Sequence, residues 1–146
     1  MEAYSGYAKF DTIAGASGIC TLWNPVDSGV TLYLDGVTGS FGAPVTICLM
    51  DVTTPIGTPI TGIRVPRNVN KIGPPCKAIL HEGVLYWTTW DLGNCFADCT
   101  NPTNFGTQFE IKRPYSIPPG YGILSKSNVR ACSGDFTLQW TENAIP

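Results

Sequence analysis

Apolar residues in this chain recur at every second position, and no window carries the 3.6-residue spacing of a capped helix. That regularity restricts the chain to a β architecture. Val30, Leu32 and Leu34 alternate with Thr31, Tyr33 and Asp35; Val45, Ile47 and Leu49 alternate with Thr46, Cys48 and Met50; Phe136, Leu138 and Trp140 alternate with Thr137, Gln139 and Thr141. Each run gives a pleated strand one apolar and one polar face. Further strands are expected at Tyr7 to Ala14, Ile19 to Trp23, Ile60 to Val65, Phe109 to Arg113 and Gly122 to Ser125, between Gly and Pro punctuation. Between Lys77 and Leu92, the runs Ala78-Ile79-Leu80 and Val84-Leu85-Tyr86-Trp87 flank His81-Glu82-Gly83. This reads as a hairpin, with a bulged long strand as the other solution. About eight to ten short strands imply an all-β, antiparallel sandwich of jelly-roll type with minimal helix.

The 146 residues make one domain, 1–146. Gly 16 and Pro 12 with only 14% charged residues exclude coiled coils, helical bundles and ordinary disorder. A formal charge of −2 gathers neither nucleic acid nor anionic membrane, so neither is expected as a partner. No run approaches the roughly 20 apolar residues of a membrane helix. Met1 to Phe10 has neither the basic head nor the apolar core of an export signal, so export is not expected.

The chemistry-bearing residues are sparse. No phosphate loop, dinucleotide fingerprint or calcium loop is present, so no cofactor is expected. The one histidine, His81, lies between two apolar runs where a surface turn is expected, and it has no orienting partner in the sequence. The reading is therefore of a protein that is not an enzyme. Cys20 and Cys48 sit inside strand-like runs and read as small packing residues. Cys76, His81, Cys95 and Cys99 have the donor types of a zinc site. Their CxxxC half and loose Cys76 to His81 half depart from common zinc modules, so reduced thiols are expected, or a Cys95 to Cys99 bridge in an oxidising setting. Gly15-Ala16-Ser17-Gly18 lacks the nucleophile-elbow pattern and reads as a turn.

Two segments fall outside the strand frame. Val52 to His81 contains no acidic residue but carries Arg64, Arg67, Lys71 and Lys77 among Pro and Gly. It reads either as a solvated connection or as a basic strap for an acidic neighbour. Gly93 to Thr107 has almost no strand pattern and is expected as a long loop at one tip. Among the aromatic residues, Trp90 and Tyr121 are the candidates for ligand stacking, while the others read as packing residues.

The turn Asn24-Pro25-Val26-Asp27-Ser28-Gly29 leads into the strand that starts at Val30, and Ile117-Pro118-Pro119-Gly120 precedes a final strand ending Trp140-Thr141-Glu142. Together these stretches resemble the small jelly-roll structural proteins of tailed bacteriophages, in particular head decoration, or cement, proteins. The likeness covers the frame of most of the chain and is carried by turn and strand motifs. It implies a homotrimer on the capsid exterior of the virion, assembled in the host cytoplasm, that ties subunits of the major capsid protein together against internal DNA pressure. Under that resemblance Met1 to Phe10, with Tyr4, Tyr7 and Phe10, would be an arm for neighbouring subunits. Arg64, Arg67, Lys71 and Lys77 would add a basic contact. The alternative function is a carbohydrate- or receptor-binding sandwich of a tail fibre, using Trp90 and Tyr121.

Overall fold

The computed structural model describes residues 1–11, 16–41, 45–86, 97–101, 107–109, 114–127 and 133–146. They form β1 (Glu2–Asp11), β2 (Ala16–Asn24), β3 (Val30–Phe41), β4 (Val45–Val52), β5 (Thr58–Pro59), a 3-10 turn (Gly62–Arg64), β6 (Arg67–Asn68), β7 (Ile79–Tyr86), β8 (Ala97–Asn101), β9 (Thr107–Phe109), β10 (Tyr115–Ile117), β11 (Tyr121–Ser127) and β12 (Ser133–Ala144). One six-stranded sheet has the order β10-β3-β12-β1-β6, with β9 also on β3; the other has the order β5-β7-β2-β11-β4-β8. Strands β9 and β10 pair with successive stretches of β3, so they act as one interrupted strand. With that reading, the frame is a jelly roll: the first and last strands lie side by side in one sheet, and β2-β11-β4-β8 forms the other. The segment holding β5, β6 and β7 is an insertion into this frame. It lengthens both sheets on the same side, with β6 beside β1 and β7 beside β2.

The core lies between the sheets, where the alternating residues place it. Leu32 and Leu34 from β3, Phe136, Leu138 and Trp140 from β12, and Ile47 and Leu49 from β4 are all buried in one cluster. The alternation in β3 changes phase once. Gln139 pairs with Gly36 while Trp140 pairs with Leu34, which leaves Asp35 as the extra residue of a bulge and returns Val37 to the core. The Thr141 hydroxyl donates to the Asp35 carboxylate at 2.6 Å across that irregularity.

Several expectations are corrected by these pairings. Residues 79–86 form one strand, not a hairpin, because β2 pairs with them without interruption from Ala16 opposite Tyr86 to Trp23 opposite Ile79. The Ile60 to Val65 stretch holds the 3-10 turn rather than a strand, with the Val65 N–H donating to the Gly62 carbonyl at 3.3 Å. Ala16, Ser17 and Gly18 belong to β2 instead of a turn. Within the stretch expected as a loop, residues 97–101 pair with β4 as the edge strand β8; an edge strand is satisfied from one side and needs no strong alternation. The N-terminal segment is no arm: β1 is zipped to β12 over ten residues, with Tyr4 and Phe10 buried and Tyr7 on the outer face. The three-residue spacing of those aromatics concealed the period-two face formed by Tyr4, Ala8 and Phe10.

Candidate functional site

The two turn motifs meet at one end of the sandwich through a single buried side chain. The Asn24 amide donates to the Val30 carbonyl at 2.8 Å and to the Ile117 carbonyl at 2.9 Å, while its own oxygen accepts from the Ser28 hydroxyl. The Gly120 N–H then donates to the Asn24 carbonyl at 2.7 Å. Gly29 and Gly120 have φ of 73° and 87°, the left-handed region in which a side chain is strained, which accounts for glycine at the end of each turn. The motif residues are thus one joint that fixes β2, β3, β10 and β11 relative to each other.

Glu142 makes a second joint. Its buried carboxylate accepts from the Lys77 N–H at 2.8 Å, the Ala78 N–H at 3.0 Å and the Trp140 indole N–H at 3.2 Å. This pins the end of the insertion to β12. The Tyr4 hydroxyl donates to the Pro74 carbonyl at 3.0 Å, and the Val69 N–H donates to the Ala3 carbonyl at 3.0 Å. Asn68 donates to Glu2 at 2.7 Å and accepts from the Asn70 N–H at 2.8 Å. On the other flank, Arg64 grips the Glu82 carboxylate with two nitrogens, and Glu82 also accepts from the Lys9 N–H at 2.9 Å. The pair closes the side of the sandwich between β1 and β7. Donation from Arg64 holds the Glu82 carboxyl below its ordinary value against the opposing effect of burial.

This pinned insertion walls a groove of about 910 Å³ against β1. Tyr7, Ile63, Arg67, Val69 and Lys71 contribute to its lining, and none of the lining residues is acidic. The surface is aliphatic as well as basic. Ile63 is 90% exposed and Ile72, between the lining residues Lys71 and Gly73, is 95% exposed. Val65 and Val69 are exposed beside them. Lys71 has φ of 65°, and among the described residues it is the only non-glycine with a positive φ. That conformation costs about 1–2 kcal/mol for an ordinary side chain.

The four basic residues therefore have different roles. Arg64, Arg67 and Lys71 surround the groove, while Lys77 lies outside its lining and contributes its backbone N–H to Glu142. Arg64 is already neutralised by Glu82. Arg67 reaches only the Ile63 carbonyl, at 3.2 Å, and no carboxylate among the described residues bridges Arg67 or Lys71. Tyr121 is half exposed at the end held by Asn24, whereas Trp90 lies outside the described residues.

The proposed metal donors are divided. Cys76 packs against the core between the sheets, but His81, next to the core residue Leu80 in β7, faces the opposite side of its sheet. Those two cannot share an ion. Cys95 lies outside the described residues, and of Cys99 only its place in β8 is described. His81 is buried in mid-strand rather than exposed at a turn, and burial lowers its pKa. Cys48 is disulfide-bonded, which corrects its reading as a free packing thiol; Cys20 is a free thiol in the core, as read.

Sequence reasoning found the cations of the groove but missed its exposed isoleucines and valines, and it named Glu82 only within an expected turn and Glu142 only as the end of a strand motif, without the roles of either as an anchor. A signal for the aliphatic residues was present: β-branched residues scattered among prolines without alternation cannot all turn inward from a strand. What the described residues define is an antiparallel jelly roll with a basic and aliphatic groove built on an insertion. Comparison with family models, with curated proteins and with solved structures finds no match for the chain.

Proposed function

We propose that this protein is a structural component of a bacteriophage virion, a decoration or cement protein that binds the outside of the head and stabilises the shell of major capsid protein. It acts as a homotrimer, by burying surface and without catalysis. The observation that carries the reading is the insertion between β4 and β8, which uses six hydrogen bonds to β1 and β12 to hold almost fully exposed isoleucines beside cations that no carboxylate among the described residues pairs. Exposed aliphatic side chains on a fixed scaffold suit a surface that a partner covers.

The resemblance of the two turn motifs to head proteins points to the shell as that partner. The test is pelleting of the purified protein with expanded heads of the phage whose genome carries the gene. Saturable attachment is expected, weakened by Arg67→Glu with Lys71→Glu. Absence of attachment, or retention on a glycan array instead, would replace this reading with a tail-fibre binding module. Arg64 is omitted from the variant set because its loss would open the Glu82 contact and disturb the fold.

A further inference from the structure

Resting on that reading, we propose that the groove between β1 and the insertion takes an extended polypeptide segment of the partner, one that carries carboxylates between aliphatic side chains. Complementarity of charge selects the carboxylates. Arg67 and Lys71 are the two groove cations without a carboxylate among the described residues, whereas Arg64 is held by Glu82. The aliphatic side chains are selected by Ile63 and Ile72, whose almost complete exposure leaves each with apolar surface to bury.

Two cations interleaved with isoleucine do not suit a nucleic-acid backbone, which is gripped by a longer run of phosphate contacts. The overall charge of −2 argues in the same direction. Lys71 supplies an independent observation. A left-handed position at the rim of a turn is met more easily by Gly or Asn, yet lysine is held there, with its neighbour Ile72 exposed. The strain is explained if the ammonium group has an anion to meet. The anchors at Tyr4, Asn68 and Glu142 fix the backbone that carries these side chains before a ligand arrives, so only the side chains have to gain order on binding.

The experiment is a titration of the full-length 15N-labelled protein, followed by amide shifts, with a capped 12-residue peptide of alternating Glu and Leu or Val. Three controls are a peptide with Lys for Glu, one with Ser for the aliphatic residues, and a single-stranded 12-nucleotide DNA. Expected are saturable shifts confined to residues 63–73 and Tyr7, weaker at higher salt and absent with the control ligands. Lys71→Asn should weaken binding about three- to fivefold, the scale of one exposed charge pair, while its melting temperature stays level or rises. Ile72→Ser should weaken it without a change in melting temperature.

The inference is overturned if the Glu and Leu peptide causes no localised shifts at millimolar concentration, or if the Lys peptide or the DNA matches it. It is equally overturned if the same amides shift with protein concentration alone, which would make a second copy the occupant. The two readings fail separately. A protein that binds the peptide but not heads leaves this inference standing and removes the shell as partner; one that binds heads but not the peptide does the reverse.

Discussion

Glu142→Ala is the perturbation with the most direct consequence for the fold. The substitution removes the acceptor of three N–H groups, two from the backbone at Lys77 and Ala78 and one from the Trp140 indole. Trp140 is fully buried and Ala78 nearly so, so no solvent replaces the acceptor at those two donors. A buried donor left unpaired costs roughly 1–3 kcal/mol, which gives a loss of about 2–6 kcal/mol for the pair. Total stability for a domain of this kind is roughly 5–15 kcal/mol, so the loss is a large share. At about 2–4 °C per kcal/mol, the melting temperature should fall by about 4–24 °C.

Glu142→Gln distinguishes the hydrogen bonds from mere bulk. Its amide oxygen can take the place of Oε2, which accepts from both Ala78 and Trp140, leaving only the Lys77 N–H facing an NH2 group. The expected loss is about 1.5–3 kcal/mol. Urea unfolding followed by tryptophan fluorescence measures both variants. A Glu142→Ala protein within about 0.5 kcal/mol of the parent, the range of ordinary surface substitutions, would refute the assignment of Glu142 as the joint between the insertion and β12.

Three further outcomes are expected. Asn24→Ala strands the Val30 and Ile117 carbonyls and should cost about 2–4 kcal/mol in urea unfolding; a neutral result would mean that the two turns are not joined through Asn24. The depressed Glu82 carboxyl contributes stability that is complete above its ordinary value near 4.5 and is lost as pH falls through the lower folded value. Melting curves of the parent and Glu82→Gln should therefore converge in acid; subtraction of the two removes Asp135, whose carboxyl is raised by burial and acts in the opposite sense. In alkylation of the native protein, Cys76, pushed up to about 11 mainly by burial, should react slowly and Cys20 not at all, while Cys48 should be protected until reduction. Ready labelling of Cys20 would contradict its place in the core.

What was legible in the sequence was what a pleated strand repeats. Leu32, Leu34, Ile47, Leu49, Phe136, Leu138 and Trp140 all lie in the core where alternation places them, and the antiparallel sandwich follows from those faces. Features that depend on a neighbouring strand were not legible. The bulge at Asp35 exists only relative to β12, and the continuity of β7 through Glu82 exists only because β2 runs beside it. Alternation also fails where both faces are covered. Cys20 and Ile19 are both fully buried in β2, and Cys48 is buried in β4 on the side away from Leu49, so polar and apolar positions no longer mark in and out. At the groove, the basic residues were legible as a run without acids, but the pairing of Arg64 with Glu82 spans 18 residues and leaves no local signature. The exposed isoleucines gain meaning only once the anchors of the insertion are seen.

The role proposed for the jelly roll is to stabilise a phage head through the groove on its insertion. The most direct measurement is the temperature at which heads release their DNA, read by dye fluorescence, with no added protein, with the parent protein and with the Arg67→Glu, Lys71→Glu variant. Expected are a higher release temperature with the parent and little or no gain with the variant, although both fold. An unchanged release temperature with heads saturated by the parent protein would contradict it.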